Sequence, residues 1–514
     1  MVLLAVANLN MAKINRKIPA TMVTQHPDHA GKPYWHNEKF IQSQFEAHEA
    51  FLSFSELGAT EYKWDWEGKL VDESVLERLF GEHFEYFKKN PLGQEKFLTF
   101  RLPNPKVETE FRIGRAFINL ASAASIAKHF NLPTPPIFEV ILPMTETAEE
   151  ILEIQKAYQQ VHFLKHSLYK LDKILSNLRV IPLFEQVEVI IKSNTILEKY
   201  LRLYKKRFKK TPPYLRPYLA RSDPALNSGI VPTVLAIKIA LSRFRTLEKK
   251  LRIPLFPIIG AAVLPFRGGI SPKTVREFAN EYKGIRTTTI QSAFRYDFEK
   301  KEVIKAIKEL EEILPQQKAV LISKKDEKDL IEIIEIFEKH YKDTIEQFSV
   351  LINNISLSIP KKRERVQHTG LFGYSRGVGK IKLPRAIPLT GSLYSIGIPP
   401  ELIGTGRGLK EIAKTKKLKL LEKYYINLKS DLLKAGGFLD KKNLEDFSKR
   451  DKIGKDIYED VKAIEEYLGI ELLPNSKEEK EHQKLSERIY KNLKNKKQIG
   501  KLIEKAAIYR KSLG

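Results

Sequence analysis

The stretch Ile181-Pro-Leu-Phe-Glu185, followed after a helix-like segment by Tyr218-Leu-Ala-Arg-Ser-Asp223, shows the pattern that decides the fold. Each short apolar run ends near a carboxylate, and the residues between the two runs have the length of a helix. A strand, a helix and a second strand form the βαβ unit of parallel sheets. In a parallel α/β barrel the reacting groups stand at the carboxyl ends of the strands. Glu185 and Asp223 are therefore candidates for chemistry.

The same pattern recurs on both sides of this unit. Four further apolar runs end on a polar residue that could take part in chemistry: Asp65, Arg101, Arg267 and Gln291. The pattern predicts strands at 97–101, 137–144, 179–185, 216–222, 255–266 and 284–291. It predicts the intervening helices at 112–130, 147–160, 187–208, 230–250, 272–283 and 299–313. Some of these runs are apolar on both faces, as parallel strands covered by helices are. We therefore expect an α/β fold with a (β/α)8 barrel of the TIM type and many additional α-helices.

Three segments are expected within one integrated domain. Residues 1–96 would supply loops and helices that feed the barrel, with 11–35 loop-like, and residues 97–408 would form the catalytic α/β barrel. The Lys/Glu-rich residues 409–514 would be helical, which makes the C-terminal half helix-rich. Residues 361–408 are rich in Gly, Pro and basic residues and have no clear period. A long irregular segment inside a compact protein is usually functional.

The composition excludes several classes of site and partner. The 514 residues contain no cysteine, which rules out disulfides and thiolate metal sites. The formal net charge of +26 would attract polyanions, so a nucleic-acid-binding protein is one alternative. However, the lysines alternate with glutamates, as in 410–423, and this favours solvated helices and an anionic substrate without nucleic acid. No apolar stretch is long enough to span a membrane, and the expected compartment is the cytoplasm.

Glu185 and Asp223 are the candidate metal ligands. Two carboxylates from separate strand ends, with water and substrate completing an octahedron, suit Mg²⁺ or Mn²⁺. The alternative is a pair of carboxylates that cap the following helices, since Asp223 could cap a helix that begins near Pro224.

Arg267-Gly268-Gly269 is the candidate anion-binding loop. The two glycines would let the backbone approach an anion closely, and the arginine supplies a bidentate donor. Arg101 is a similar cation at a strand end, and Gln291 is a polar candidate at another. The alternative for the Gly-Gly pair is an ordinary turn.

Three further candidates lie outside the predicted strands. His26, within Thr24-Gln-His-Pro-Asp28, has the pKa range for proton transfer near neutrality, although it could equally be a solvated loop residue. Arg376, within Gly370-Leu-Phe-Gly-Tyr-Ser-Arg-Gly377, and Arg385 could belong to anion-binding loops.

In this order, the motifs resemble phosphoenolpyruvate carboxylase of the archaeal type over most of the chain. The motifs that carry the resemblance are Thr24-Gln-His-Pro-Asp28, Trp64-Asp-Trp-Glu-Gly-Lys-Leu-Val-Asp72, Leu98-Thr-Phe-Arg-Leu-Pro-Asn-Pro105, Pro136-Ile-Phe-Glu-Val-Ile-Leu-Pro-Met-Thr145, Pro182-Leu-Phe-Glu185, Ala220-Arg-Ser-Asp-Pro-Ala225, Phe266-Arg-Gly-Gly269 and Arg385-Ala-Ile-Pro388.

The resemblance implies a homotetrameric barrel enzyme that joins phosphoenolpyruvate and bicarbonate to give oxaloacetate and phosphate. The implied route passes through carboxyphosphate and a metal-bound enolate, uses Mg²⁺ or Mn²⁺ and serves anaplerotic carbon fixation. The family's metal ligands match Glu185 and Asp223, and its catalytic histidine matches His26. Its arginines for phosphate and carboxyphosphate match Arg101, Arg267 and Arg385.

Three departures from the longer bacterial and plant form agree with the short form. Ile270-Ser-Pro-Lys273 replaces a second glycine-rich loop, Leu226 replaces a lysine, and Pro265 replaces a histidine. The alternative function is another Mg²⁺-dependent barrel lyase or aldolase that acts on phosphoenolpyruvate or a 2-oxo acid through an enolate. The residues do not identify an allosteric effector or its site.

Overall fold

A closed barrel of eight parallel strands forms the centre of the molecule, and β1 pairs with both β2 and β8. The computed structural model describes residues 17–108, 111–133, 135–162, 178–364, 376–378 and 381–514. The barrel strands are β1 (Thr21–Thr24), β2 (Glu61–Asp65), β3 (Phe97–Arg101), β4 (Glu139–Leu142), β5 (Arg179–Phe184), β6 (Tyr218–Ala220), β7 (Ile258–Gly260) and β8 (Thr287–Ile290). The predicted (β/α)8 barrel is confirmed.

Helices surround the barrel and make up nearly all of the described C-terminal part. They are α1 (Glu46–Ser55), α2 (Val75–Lys89), α3 (Arg112–His129), α4 (Ala148–His162), α5 (Val187–Phe208), α6 (Ser222–Ser228), α7 (Ile230–Leu251), α8 (Val275–Glu281), α9 (Ser292–Tyr296), α10 (Lys300–Ile313), α11 (Lys324–Ser356), α12 (Ala386–Ser395), α13 (Thr405–Lys414), α14 (Leu418–Tyr424), α15 (Leu428–Gly436), α16 (Lys441–Arg450), α17 (Lys452–Leu468), α18 (Lys477–Lys491) and α19 (Lys496–Tyr509). The short antiparallel pair β9 (Arg376–Val378) and β10 (Ile381–Leu383) lies apart from the barrel sheet. None of the described helices is both long and apolar enough to cross a membrane.

Strand β2 shows how the sequence separates the outer core from the barrel interior. Side chains on a strand alternate between its two faces. Tyr62 and Trp64 belong to the large apolar core that includes the surrounding helices. Glu61, Lys63 and Asp65 occupy the alternate positions, which face the interior of the barrel. The side chains of three charged residues of this short strand therefore point into the barrel at three successive positions along the strand.

The barrel interior is layered along its axis. At the end where the strands begin, Arg216 donates to Glu61 and Glu139, with N–O distances of 2.6–2.9 Å. The middle layer is apolar and consists of Met22, Ile141, Ile181, Leu183, Tyr218, Ala220 and Ile258. The carboxyl ends of the strands carry the second group of charged residues. The charged side chains thus form two groups with a filled apolar layer between them.

The expected start of the barrel is wrong. The first two strands lie within 1–96, and β1 lies within the stretch 11–35 that was expected to be loop, so the barrel begins at Thr21 and not at 97. β1 is only four residues long, and Thr-Met-Val-Thr between proline-containing segments gives little local signal. Pairing with β2 and β8 forms this strand, and such long-range pairing is not visible in a local pattern.

Two further expectations need correction. The strand predicted at 255–266 is regular only at Ile258–Gly260, and Pro265–Arg267 form a short 3-10 helix in the loop that follows. The segment 361–408, expected to be irregular, contains β9, β10, α12 and the start of α13. Helix α12 is rich in Pro, Gly, Ser and Thr, which have low helix propensity, and it is largely buried. Tertiary packing decides its conformation.

Candidate active site at the carboxyl ends of the strands

Arg101, at the end of β3, lies in a dense group of buried charges. Its Nε and Nη2 donate to the two carboxylate oxygens of Asp65 at 2.6 and 2.5 Å, and its Nη1 lies 2.6 Å from Glu67 Oε2. Parallel register places Asp65 directly beside Arg101. Burial disfavours the charged guanidinium, but Asp65 and Glu67 outweigh this effect and raise the pKa of Arg101. The arginine is therefore held in one orientation at the barrel mouth.

Lys63 adds a second cation one step deeper on β2. Its side chain is buried, and its register partners are Thr24 on β1 and Thr99 on β3. Burial and the neighbouring Arg101 lower the pKa of Lys63 to about 7, although Asp65 and nearby glutamates oppose the shift. A lysine with this pKa can exchange its proton near neutrality.

His26 follows β1 and faces these cations. Its Nδ1 lies 2.9 Å from Thr24 Oγ1. Burial is the largest cause that holds the pKa of His26 well below its ordinary value, and Lys63 and Arg101 act in the same direction. The imidazole is therefore neutral at physiological pH. A neutral imidazole can accept a proton from a substrate.

Arg267 lies in the loop after β7, and four groups hold its guanidinium. Its Nε donates to Ser222 Oγ at 3.1 Å and its Nη2 to Gln291 Oε1 at 2.7 Å. Its Nη1 lies 3.2 Å from Asp28 Oδ2 and also donates to the main-chain oxygen of Gly514. The structure thus brings Arg267 and Gln291, which were predicted separately as site residues, into direct contact, and both side chains are buried.

The two glycines after Arg267 adopt backbone conformations that favour glycine. The backbone φ angle is 122° at Gly268 and 72° at Gly269, and residues with a side chain rarely adopt such positive values. A Cβ at Gly268 would lie 2.6 Å from the Cβ of Ala261. Substitution at Gly268 would therefore move the loop that carries Arg267.

Two buried residues hold this loop from behind. Arg221 donates to the carbonyl oxygens of Pro265 and Phe266 at 3.2 and 2.9 Å. Glu401, in the segment before α13, accepts from the Phe266 N–H at 2.7 Å. Burial raises the pKa of Glu401 to about 7. Arg221 and Glu401 are positioning residues, because they act on the site through the loop.

The last residues of the chain reach the barrel mouth. Leu513 N–H donates to the carbonyl oxygen of Asp28 at 2.7 Å, and a Cβ at Gly514 would lie 2.1 Å from the carbonyl oxygen of Ile387 on α12. Arg385 immediately precedes α12, the helix that Gly514 approaches. Arg376 begins β9, and its side chain lies outside the part of the chain that the structure describes.

The candidate metal ligands Glu185 and Asp223 belong to consecutive βα units. Glu185 follows β5 and accepts from the Met144 N–H at 2.7 Å, while Asp223 lies in the first turn of α6. Arg221 occupies the N-cap position, so Asp223 does not cap this helix. The pKa of the inward-facing Tyr218 is raised mainly by burial, with Glu185 and Asp223 adding to the shift. Both acids therefore lie within electrostatic range of the Tyr218 hydroxyl.

The donor set fits a hard divalent cation with open coordination positions. Both side chains offer only oxygen ligands, the kind that Mg²⁺ and Mn²⁺ prefer. Within the described ranges, no group of three or more His, Asp or Glu residues is arranged to hold a metal ion. A metal held by these two acids would therefore take its remaining ligands from water and substrate.

The sequence reasoning missed several residues of the site. Lys63 and Glu67 were not assigned a role, although the alternation in Glu61-Tyr-Lys-Trp-Asp65 places charged residues on one face and could have indicated them. Asp28 and Gly514 contact Arg267 from positions far away in sequence. No local signal indicates those two contacts.

A closed parallel barrel with acids, arginines and a neutral histidine at its carboxyl end defines a (β/α)8-barrel enzyme for anionic substrates. Comparison with known proteins agrees with this class. A family model described as phosphoenolpyruvate carboxylase matches residues 18–514. The phosphoenolpyruvate carboxylases of Oenococcus oeni and Metallosphaera sedula are each 38% identical to this chain, over 98% and 97% of its length and 100% of their own. The enzyme of Pyrococcus horikoshii is 39% identical over 81% of this chain and 87% of its own.

This chain therefore belongs to the phosphoenolpyruvate carboxylase family, whose members are carboxy-lyases. The resemblance inferred from the ordered motifs is confirmed.

Proposed function

We propose that this chain joins phosphoenolpyruvate and bicarbonate to give oxaloacetate and phosphate. One observation carries the proposal in detail: Arg101, Arg267, His26 and the two acids Glu185 and Asp223 all stand at the carboxyl end of the barrel. Family membership supports the same reaction.

The first step would be phosphoryl transfer. An oxygen of bicarbonate attacks phosphorus, and the bond between phosphorus and the enol oxygen breaks. The products are carboxyphosphate and the enolate of pyruvate. Arg267 and Arg101 would stabilise the charge on the phosphoryl group as it moves, since fixed donors are most effective where charge develops. Gln291 and Asp28 hold Arg267 in place for this step.

His26 would accept the proton of the carboxyphosphate carboxyl group. If Nδ1–H donates to Thr24, Nε2 is the acceptor. Loss of that proton lets carboxyphosphate break down to CO₂ and phosphate, and the enolate carbon then attacks CO₂. The buried mouth would keep water from protonating the enolate first.

Glu185 and Asp223 would hold the divalent cation, and Gly268 and Gly269 would allow the phosphate to approach the loop backbone. When bound, the cation would act as a Lewis acid toward the enol oxygen and the carboxylate of the substrate. We propose Mg²⁺ or Mn²⁺, with Arg376 and Arg385 as further anion contacts. A homotetramer in the cytoplasm with an anaplerotic role completes the proposal.

A coupled assay tests the reaction. Malate dehydrogenase and NADH report oxaloacetate, and phosphate is measured in parallel, with and without bicarbonate. We expect oxaloacetate and phosphate in equal amounts, both dependent on bicarbonate. Conversion of phosphoenolpyruvate without any need for bicarbonate would instead support another lyase or an aldolase.

A further inference from the structure

A cavity lies at the end of the barrel opposite the candidate active site. Its volume is about 560 Å³, and it lies between the C-terminal half of α7, the starts of β7 and β8, and the segment after α10. Buried Leu241, Phe244, Leu255 and Ile285 form an apolar inner wall. A space of this size holds a small organic molecule.

The polar lining of this cavity is strongly basic. Arg245, Lys249, Arg286 and Lys318 line it, and Glu248 is the only acid among the described residues that line it. The Glu248 carboxylate accepts from the Leu255 N–H at 3.2 Å. Lys249 and Lys318 are exposed, so they can turn toward a ligand without disturbing the fold.

Two buried polar atoms on the wall have no hydrogen-bond partner: Arg286 Nε and Gln317 Oε1. The other end of the Arg286 guanidinium donates through Nη2 to the carbonyl oxygen of Ile18. Burial and the neighbouring Arg216 lower the pKa of Arg286, although Glu311 opposes the shift. An anion beside Arg286 would stabilise its charged form.

We propose that this cavity is a binding site for a small organic anion, with an apolar body against the inner wall and a carboxylate or phosphate group beside the basic residues. The site is coupled to the barrel mouth. Pro257 and Arg286 line the cavity and directly precede β7 and β8. The loop after β7 carries Arg267, Gln291 follows β8, and the two side chains are hydrogen-bonded to each other. The strands are three and four residues long, so the two ends lie roughly 10–13 Å apart.

Calorimetric titration of the intact protein tests the site. Phthalate and phenyl phosphate serve as probes with the two head groups, and benzamide is the neutral control. The cavity variant is Lys249→Glu with Lys318→Glu. The matched control is Lys305→Glu with Lys308→Glu, two exposed positions on α10 with the same change in net charge.

We expect at least one anionic probe to bind the wild type and the control saturably, with at least tenfold weaker binding to the cavity variant. Benzamide should give no saturable heat. Bound probe should change the KM for phosphoenolpyruvate at least twofold in the wild type and the control, but not in the cavity variant. Absence of saturable binding, or equal affinity in both variants, would overturn the site. Binding without any change in KM or kcat would overturn the coupling.

Discussion

The two ends of the barrel contain similar buried charges arranged for different purposes. At the end where the strands begin, Arg216 pairs with two glutamates, and Thr99, Tyr214 and Thr287 add hydrogen bonds, although Arg216 Nε has no hydrogen-bond partner within the described part of the chain. At the carboxyl end, arginines, a lysine, a histidine and several acids converge from most of the strands. We propose that the first group stabilises the fold, whereas the second group can exchange partners with a substrate. Strand β2 supplies Glu61 to the first group and Lys63 and Asp65 to the second.

The largest effect is expected at the carboxyl end, on catalysis. His26→Asn removes the proton acceptor, and general-base residues contribute about 10²–10⁴-fold to rate. Oxaloacetate formation should fall by that factor. Phosphate release is partly retained, because carboxyphosphate still forms and is hydrolysed by water to bicarbonate and phosphate, while the enolate is protonated to pyruvate. Lactate and malate dehydrogenase couplings measure the two products.

His340→Asn on α11, a half-buried position whose Nε2 lies 2.8 Å from Glu411 Oε2, is the control and should leave the product ratio unchanged. If His26→Asn makes oxaloacetate at the wild-type rate, His26 has no part in the mechanism.

At the opposite end, the effect should fall on stability. Arg216→Met leaves Glu61 and Glu139 buried without their cation, which costs about 3–5 kcal/mol of unfolding free energy. Urea denaturation measures this cost. The rate per folded molecule should stay near the wild-type value, because the apolar layer separates the two groups.

Arg179→Met, at a half-buried neighbouring position that donates to Tyr214, should cost no more than about 1.5 kcal/mol. If Arg216→Met lowers turnover but leaves the free energy of unfolding unchanged, it is wrong to assign stability to this end of the barrel and catalysis only to the carboxyl end.

Arg267→Ala should mainly lower the rate, in contrast to the loss of stability expected for Arg216→Met. Removal of one charge-stabilising donor costs about 3–4 kcal/mol of transition-state stabilisation, or roughly 10²–10³-fold in kcat. Steady-state kinetics measure this loss per folded molecule, and urea denaturation measures the separate cost of leaving buried Asp28 without its cation. Arg276→Ala on α8, whose side chain is 84% exposed, is the control with a normal rate. A near-normal rate in Arg267→Ala would show that the loop after β7 does not stabilise the phosphoryl group.

The smallest effect concerns the residue that supports the loop. Glu401 has a pKa of about 7 in the folded protein against an ordinary value of 4.5. Between pH 4.5 and about 7, the Glu401 carboxyl group is ionised in the unfolded chain but still protonated in the folded protein. The free energy of unfolding therefore falls as pH rises, by up to about 3 kcal/mol. Glu401→Gln should abolish this pH-dependent fall in the free energy of unfolding. The variant should retain activity, because the amide oxygen of the glutamine still accepts from the Phe266 N–H. Denaturation at pH 5 and 8 measures the difference, and identical pH dependence in both proteins would contradict it.

Local sequence patterns predicted the strands and helices whose formation depends mainly on the residues within them. Runs such as Arg179–Phe184 and the helix Val187–Phe208 have the length and composition of buried strands and covering helices. They placed Glu185 and Arg267 at the barrel mouth. β1 escaped prediction because pairing on both sides forms it. The contacts of Arg267 with Asp28 and Gly514 join residues more than 200 positions apart, and no periodicity encodes them.

The central claim is that Glu185 and Asp223 share one divalent cation at the carboxyl end of the barrel. Electron paramagnetic resonance of free Mn²⁺ gives the bound metal as the difference between total and free ion, without any need for turnover. We predict one tight site in the wild type and in Glu139→Gln, which alters a carboxylate at the opposite end. Glu185→Gln with Asp223→Asn should lose that site. If the double variant binds Mn²⁺ with the wild-type affinity, the account of the site is wrong.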